Sequence, residues 1–453
     1  MIASAGTRCA ATLMDNGARW ISVDDTLADA GIPHVPLPLF FSPAQRIHAI
    51  ESSGADLVIT DRPDEILALE MGFERIGEWQ GNALLVRQID TPVRLPAGTA
   101  KITFTSGTTG DPKGVCLSAS QMAATAAALA RALSPLNLKR HLCALPLPVL
   151  LENVAGVLAP RLAGMSVAVP PLAETGLMGA AGFDAPRFAL CLEDSAADSV
   201  ILLPQMLEAW LAEIEAGSLA PPNRLRFAAV GGARVSPETL TRAREAGLPV
   251  FEGYGLSECA SVVSLNCPDA DKIGSVGRPL PHLAVTIAED GEILIAGQTC
   301  LGYLGEPHLH PEQTGAPLAT GDLGSLDEAG FLFISGRKKN IIITALGRNV
   351  APEWVESELQ REPVIRQVAV FGEARPWLSA VIVSPGVTRA EIEGAVTRVN
   401  ASLPDYARIH RFLIADAPFS PANGLATANG RPRRTAIATH YQDRLEALHE
   451  FQR

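Results

Sequence analysis

Lysine, cysteine and aromatic residues are scarce in this chain of 453 residues. Aromatic residues make up 5%, only six of the 37 basic residues are lysine, and the seven cysteines never occur as CxxC pairs. Scattered cysteines in odd number predict reduced thiols, and they exclude a disulfide scaffold and a thiolate zinc site. The least charged stretch, 114–130, still carries Ser, Gln and Thr, and it predicts a helix of a soluble protein rather than a membrane span.

The N-terminus lacks the pattern of a secretory signal, because Arg8 and Asp15 interrupt its apolar residues. We therefore expect a cytoplasmic protein.

Basic residues are outnumbered by acidic ones, 37 against 49, which gives a formal net charge of -12. This balance excludes a broad electrostatic surface for nucleic acid or for an anionic membrane, so any phosphate binding must be local.

Two segments have the pattern of β-α-β units. Ser42-Pro43-Ala44-Gln45 is a capping box with proline at the first helical position, Gly54 ends the helix, and ADLVIT continues as a strand. The same order recurs at 225–251, where LRFAAV, two glycines, a helix from Ser236 and the strand LPVF follow each other. Such units predict a parallel sheet, whose ligands bind at the carboxyl ends of the strands.

A smaller unit follows residue 337. It combines a helix that begins at Pro352, the strands QVAVFG, LSAVIVS and RFLIAD, and a helix from about residue 388. We therefore expect an α/β protein with a large N-terminal domain of layered sheets and helices, 1–337, and a small α+β C-terminal domain, 338–453. The first domain carries 22 basic and 37 acidic residues and the second 15 and 12. This split predicts a cationic lid on an acidic body; an uneven surface without a role is the alternative.

The strongest motif is TFTSGTTGDPKGV at 103–115. Its glycines let backbone N–H groups approach phosphate oxygens closely, its hydroxyl side chains add donors, and Lys113 supplies a positive charge. The GDPK sequence at 110–113 lacks the Gly-Lys-Ser/Thr ending of a Walker A loop. The motif predicts a phosphate-binding loop of another kind, with an ordinary Ser/Thr/Gly turn as the alternative.

This loop resembles the signature of the adenylate-forming superfamily of acyl-CoA synthetases, nonribosomal peptide adenylation domains and luciferases. Three further motifs follow in the superfamily's order: GGA at 231–233, GYGLSE at 253–258 and TGDLGSLDEAGFLFISGRKKNIII at 320–343. The resemblance covers about residues 30–440. It implies the adenylate-forming fold, in which the small C-terminal domain is mobile and rotates about a hinge residue, here Lys339.

The resemblance also implies a reaction. A carboxylate attacks the α-phosphate of MgATP to give acyl-AMP and pyrophosphate, and a thiol, either CoA or the phosphopantetheine of an acyl carrier protein, then takes the acyl group. Glu258 would help hold Mg²⁺, Ser257 would face the α-phosphate, Tyr254 would flank adenine, and Asp322 and Arg337 would bind the ribose. The implied nucleotide-binding set comprises Thr105, Ser106, Gly107, Thr108, Thr109, Gly110, Gly231, Gly232, Ala233, Tyr254, Gly255, Ser257, Asp322 and Arg337.

Taken singly, several of these residues have ordinary interpretations. Asp322 is equally typical of a loop cap, Tyr254 of a core residue and Glu258 of a surface carboxylate. The ordered set favours the site.

The chain departs from the superfamily at its catalytic lysine. NGLATANGRPRR at 423–434 matches the surrounding motif but has Arg431 at the lysine position. Arginine keeps the charge but is bulkier and flatter, so two interpretations stay open. In the first, Arg431, Lys113 and Glu258 are catalytic, and the arginine-rich composition favours it. In the second, the chain is a non-catalytic or transfer-only binding homologue; lysines kept elsewhere in the site and a short segment before the phosphate loop favour it.

The segment LPLPVLLENVAG at 145–156 predicts an apolar acid pocket. It is similar to the long-chain fatty acyl branch, with Glu152 matching and Val149 where a histidine is common. We expect a fatty acid, with an aryl acid as the alternative.

The positive C-terminal domain would suit an acidic carrier protein as the thiol acceptor, and CoA is the other acceptor. Luciferase-type oxidation is a further alternative, because luciferases share these motifs. His141, His310 and His440 stand alone in sequence and are interpreted as ordinary surface or core residues.

Overall fold

The computed structural model describes residues 6–105, 112–178, 182–233, 235–305, 316–345, 348–427 and 430–450. The strands in these ranges are β1 (Ala10–Leu13), β2 (His34–Pro36), β3 (Leu57–Thr60), β4 (Glu74–Trp79), β5 (Asn82–Val86), β6 (Thr99–Thr105), β7 (Lys113–Ser118), β8 (Arg140–Leu142), β9 (Ser166–Ala168), β10 (Leu177–Met178), β11 (Gly182–Phe183), β12 (Ser199–Leu202), β13 (Phe227–Val230), β14 (Val250–Tyr254), β15 (Ser264–Leu265), β16 (Arg278–Pro279), β17 (Leu283–Ile287), β18 (Glu292–Gly297), β19 (Gly302–Tyr303), β20 (Leu318–Leu326), β21 (Leu332–Arg337), β22 (Ile342–Ile343), β23 (Asn349–Val350), β24 (Gln367–Phe371), β25 (Leu378–Val383) and β26 (Ile409–Ile414).

The helices in the same ranges are α1 (Ala18–Asp29), α2 (Pro43–Ser53), α3 (Pro63–Leu67), α4 (Ala119–Leu133), α5 (Ala159–Leu162), α6 (Ala185–Asp194), α7 (Pro204–Glu215), α8 (Pro237–Glu245), α9 (Pro352–Leu359), α10 (Arg389–Ser402), α11 (Arg434–His440) and α12 (Gln442–Glu450). A π-helical turn, Glu152–Leu158, precedes α5, and short 3-10 turns occur at Ser134–Leu136, Ser257–Cys259, Lys338–Asn340 and Asp405–Ala407. Helices and sheets alternate along the chain, which is the predicted α/β class.

Three large sheets and the two-stranded sheet β10-β11 form the part of the described chain that ends at residue 337. The first has eight strands in the order β19-β7-β6-β2-β1-β3-β5-β4, and the second has seven in the order β16-β15-β14-β13-β12-β8-β9. The third, β17-β18-β20-β21, is antiparallel. Helix α4 and the π-helical turn pack on one face of the second sheet, and helices α6, α7 and α8 pack on the other.

The predicted β-α-β units are present. Ser42 and Gln45 form the capping box of α2, and Gly54 ends the helix at a φ of 63°, in the left-handed region that glycine favours. Strands β12, β13 and β14 are parallel neighbours, and Ser236 caps α8 between the last two. The carboxyl end of β13 therefore leads directly into Gly231 and Gly232, as the sequence predicts.

The residues after 337 form the small α+β unit. The sheet β24-β25-β26 packs against α9 and α10 through a separate core that includes Val355, Val370, Ile382 and Val396. Helices α11 and α12 pack on its other side around Ile437 and Tyr441.

The least charged stretch differs from its prediction. Residues up to 118 are strand β7, and only α4 is helical. A short apolar run has no periodicity that separates a buried strand from a buried helix, which explains the error. Across the described ranges, no helix is long and apolar enough to cross a membrane.

Candidate active site

A cavity of about 1300 Å³ opens at the carboxyl ends of β13 and β14. It continues between the second sheet and α4. The end at the strand ends is lined by polar side chains, and the end beside α4 is apolar. The basic side chains that line it are Lys113, Lys139, Arg337, Lys339, Arg431 and Arg433, whereas Glu258 is the only acidic one among its described lining residues. The cavity is thus locally positive in a chain of net charge -12, which suits an anionic ligand.

Glycines bring the backbone to the edge of this cavity. Gly231 lies against the Gly253 carbonyl oxygen, which would be 3.2 Å from an added Cβ, and Gly232 has a φ of 83°. A side chain at Gly255 would overlap the Ser261 carbonyl oxygen. Only glycine permits these approaches without strain, so the two motifs 231–233 and 253–258 meet as neighbouring strand ends. Ala233 and Ser257 are half-buried beside them, and Ser257 lines the cavity.

Tyr254, Asp322 and Arg337 form one hydrogen-bonded group. The Tyr254 hydroxyl donates to Asp322 Oδ2 at 2.7 Å, and Arg337 Nε lies 2.8 Å from Asp322 Oδ1. Asp322 is 4% exposed behind its two partners, which line the cavity. Burial, together with the negative charge of Asp322, raises the pKa of Tyr254 above its ordinary value, so the tyrosine stays a neutral hydrogen-bond donor.

Glu258 and Lys113 face each other across Tyr303. The Tyr303 hydroxyl donates to Glu258 Oε1 at 2.8 Å, and Lys113 Nζ lies 5.3 Å from the centre of the Tyr303 ring. The Glu258 carbonyl oxygen accepts from the Cys300 N–H at 2.7 Å and from Gln121 Nε2 at 2.8 Å, which fixes the turn. One partly exposed carboxylate beside an anion site is the donor set that Mg²⁺ uses when phosphate oxygens and water complete its shell.

Arg431 reaches the same cavity from the C-terminal unit. Its backbone N–H donates to Thr427 Oγ1 at 3.1 Å, and the adjacent Gly430, with a φ of 75°, packs directly on Gln205 of α7. The side chain is exposed within the cavity but surrounded by its walls. Burial between these walls, followed by the positive charge of Arg337, lowers the pKa of Arg431. Lys339 has a lowered pKa for the same two reasons.

The other end of the cavity is an apolar lobe. It lies between strands β12 and β13 on one side and α4, the π-helical turn and α5 on the other. Its lining side chains include Leu129, Leu133, Leu138, Leu145, Val149, Leu150, Met165, Ile201, Met206 and Phe227. The apolar character predicted for 145–156 is therefore present. Leu162 stands at the rim of the lobe and is 61% exposed.

One polar cluster in this lobe is missed by the sequence reasoning. His141 contacts Ser199 and Glu152, so it does not stand alone as predicted. His141, Cys143 and Glu152 place ligand-type atoms within 4.8 Å of one another, yet both ring nitrogens of the histidine are already hydrogen-bonded. We interpret the group as a hydrogen-bonded cluster. His440, by contrast, is exposed and stacks edge-on against Tyr441.

The structure thus brings most of the predicted set together. Thr105, at the end of β6, and Lys113 line the cavity with the motifs described above. Ser106, Gly107, Thr108, Thr109 and Gly110, and also His310, lie outside the described residues. Their predicted roles stay predictions, as do the roles of each residue toward a particular atom of the nucleotide.

Comparison with known proteins extends these observations. Residues 4–305 match the family described as AMP-binding enzyme, and residues 339–452 match the AMP-binding enzyme C-terminal domain. Long-chain-fatty-acid–CoA ligase FadD15 of Mycobacterium bovis is 35% identical over 251 residues, which are 49% of this chain and 42% of that protein. The chain therefore spans less than half the length of that relative.

Two further relatives come from Bacillus subtilis. Its 2-succinylbenzoate–CoA ligase is 28% identical over 387 residues, 81% of this chain and 76% of that protein. The solved structure of o-succinylbenzoate CoA synthetase with its acyl-adenylate intermediate superposes with a TM-score of 0.75 at 25% identity, covering 96% of this chain and 90% of that one. The ordered motifs, the fold and the family match over residues 4–305 agree, and the chain belongs to the AMP-binding enzyme family.

Proposed function

We propose that this chain activates a carboxylic acid with MgATP and then passes the acyl group to a thiol. One observation carries the proposal: a single cavity joins a cationic end, with Lys113, Arg337 and Arg431, to an apolar lobe that has room for an organic acid. An acid carboxylate and a nucleotide phosphate repel each other, so positive charge must surround the point where they meet.

In the first step, a carboxylate oxygen of the acid forms a bond to the α-phosphorus of ATP, and the bond from that phosphorus to the bridging oxygen breaks. Pyrophosphate leaves with the electron pair. Lys113 and Arg431 supply positive charge to the phosphate oxygens, and positioning with charge stabilisation accounts for most catalysis of phosphoryl-type transfer. Glu258 would hold Mg²⁺, which neutralises phosphate charge when it is bound.

The nucleoside would lie along the glycine motifs. Gly231, Gly232 and Ala233 offer open backbone at a strand end, and Tyr254 offers a ring face at half-buried depth. Arg337, held by Asp322, would meet the ribose. In the second step a thiol sulfur attacks the acyl carbon and AMP leaves. We propose that the domain 338–453 turns about Lys339 between the two steps.

The acid is proposed to be a fatty acid. Ser199 and Phe227 are register partners, and Phe227 precedes Gly231 by four strand positions, so the lobe follows the sheet for about 13 Å at the usual rise per residue. This depth and the exposed rim at Leu162 support an extended chain more than a single ring. Each buried methylene contributes about 0.8 kcal/mol, so affinity should rise with chain length until the lobe is filled.

The test is pyrophosphate release by the purified chain with MgATP and a panel of acids from short to long, together with aryl acids of matched size. We expect release that depends on an acid and increases along the fatty series. A maximum at an aryl acid would replace the substrate class, and no release with any acid would overturn the activity.

Arg431 favours a second candidate, a binding homologue without adenylation, because arginine fits a close site differently from lysine. Calorimetry distinguishes the two: ATP binding at the described cavity without turnover of any acid would support the homologue.

The acceptor thiol is proposed to be CoA, as in the names of the two relatives, or a carrier-protein phosphopantetheine. The 15 basic and 12 acidic residues of 338–453 support docking of an acidic carrier. Transfer to a carrier that weakens with salt, measured beside transfer to free CoA, would support the carrier; equal rates at all salt concentrations would favour CoA. A cytoplasmic location stays a prediction.

A further inference from the structure

A polar cluster interrupts the apolar lobe where β8 and β12 run side by side. His141 and Ser199 are register partners on these strands, each is 3% exposed, and both line the cavity. His141 Nδ1 lies 2.9 Å from Ser199 Oγ, and Nε2 lies 3.2 Å from Glu152 Oε1. Glu152 is fully buried behind the histidine. Polar groups placed in this way inside an apolar pocket fix the orientation of a ligand.

Glu152 is surrounded by donors. The Leu145 N–H donates to Oε2 at 3.0 Å, and the Cys143 thiol lies beside the carboxylate. Burial, followed by the negative charge of Glu152, raises the pKa of Cys143, so the thiol keeps its proton. Gly156, on the next turn of the π-helix, leaves the necessary space, since a Cβ there would overlap Glu152 Oε1. Each oxygen of the Glu152 carboxylate thus has a partner, His141 Nε2 at Oε1 and the Leu145 N–H at Oε2.

This arrangement sets the direction of the remaining hydrogen bonds. A neutral imidazole that donates its Nε2 proton to Glu152 leaves Nδ1 as an acceptor. The Ser199 hydroxyl therefore donates to Nδ1. Its oxygen lone pairs are then the groups that it presents to the cavity.

We propose that Ser199, oriented by His141 and Glu152, is a specificity-determining residue that accepts a hydrogen bond from a hydroxyl group on the acyl chain. The inference rests on the proposed function and names its substrate class, a hydroxylated fatty acid. Ser199 lies about four strand positions below Gly231, roughly 13 Å along the sheet, so the hydroxyl belongs to the outer half of the chain. An oxo group in the same place has no proton to donate and gains nothing.

The test uses non-hydrolysable acyl-sulfamoyl adenosines, whose binding requires no turnover. Calorimetry compares the plain decanoyl compound with hydroxydecanoyl and oxodecanoyl compounds substituted at each carbon of the outer half. The best hydroxy compound should bind the full chain about tenfold more tightly than the plain one, and the oxo compounds should not. Ser199→Ala should remove this preference. Ser53→Ala should keep it, because that change deletes a buried hydroxyl that bonds to the α2 backbone and does not line the cavity.

Glu152→Gln is the sharper variant. The glutamine oxygen can keep the Leu145 N–H bond, and its amide N–H then faces His141, so Nε2 becomes an acceptor and Nδ1 donates to Ser199. The serine proton turns to the cavity, and the oxo compound should gain about tenfold. Equal binding of plain, hydroxy and oxo compounds by the unmodified chain would overturn the specificity role while leaving the adenylate site supported. No binding of any compound would overturn both.

Discussion

The replacement of Arg431 by alanine is the most informative perturbation of this site. Arg431 lies in the cavity on the loop that packs Gly430 against Gln205, and Arg337 is near enough for its charge to lower the Arg431 pKa. If the guanidinium neutralises a phosphate oxygen in the first step, its removal leaves the negative charge of that oxygen uncompensated inside the cavity. We expect the rate of acid-dependent pyrophosphate release to fall, with ATP affinity changed only a few-fold.

The magnitude follows from electrostatics. Two unit charges 4 Å apart interact by about 4 kcal/mol at an effective dielectric constant of 20. We take this energy as the upper bound of the loss in transition-state stabilisation. Loss of one donor that acts on developing charge costs about 10²–10³ in rate. We therefore expect Arg431→Ala to lower kcat by about 10²–10³, whereas Arg444→Ala, which removes an exposed arginine paired with Asp416 in the same domain, should lower it less than threefold.

Arg431→Lys completes the series. It keeps the charge and restores the residue type that the superfamily uses, so the rate should stay within about tenfold of the unmodified chain. Steady-state pyrophosphate release with saturating MgATP measures all three variants. An alanine variant as fast as the unmodified chain would refute a catalytic role for Arg431, and a lysine variant more than tenfold faster would show that arginine is a defect there.

Three further predictions concern the surrounding structure. Gly255→Ala forces a Cβ into the Ser261 carbonyl oxygen, so we expect a loss of about 1–3 kcal/mol in the free energy of unfolding, measured with urea, and weaker ATP binding; unchanged values would contradict the packing. Glu258→Gln should raise the Mg²⁺ concentration needed for half-maximal activity at least tenfold, and an unchanged requirement would remove the residue from the metal site. Burial raises the pKa of Asp24, but the charge of Lys101, 2.8 Å away, and the hydrogen bond to His34 together lower this pKa below its ordinary value. The stability that these contacts contribute is therefore present above about pH 4 and lost as the pH falls. Asp24→Asn should cost about 3 kcal/mol at pH 7 and flatten the acid limb of the stability curve, and a curve parallel to that of the unmodified chain would contradict this.

The sequence predicts the elements around the site because their signals are local. The capping box at Ser42, the glycine after α2 and the helix start at Ser236 each need only a few neighbouring residues. The motif residues 231–233 and 253–258 are then brought together by the parallel pairing of β13 and β14, which the β-α-β pattern implies. The apolar lobe is likewise predicted by a local signal, the apolar run at 145–156.

The polar cluster does not follow from local signals. His141 and Ser199 are 58 positions apart, and they meet only because β8 and β12 pair in one particular register. A shift of that register by one residue would turn both side chains to the opposite face of the sheet. Glu152 reaches them through a π-helical turn, which no periodicity in the sequence announces. Such a constellation is found only after the sheet is assembled.

The cavity also bears on whether arginine can serve at position 431. The objection to arginine is its bulk in a close-fitting site, yet Arg431 is exposed within a cavity of about 1300 Å³. Its charge is added to those of Lys113, Arg337 and Lys339 around the only acidic side chain among the described lining residues. At such a place the positive charge matters more than the shape of the group that carries it. The geometry therefore supports adenylation by an arginine-containing site, and it makes the lysine variant a test of shape alone.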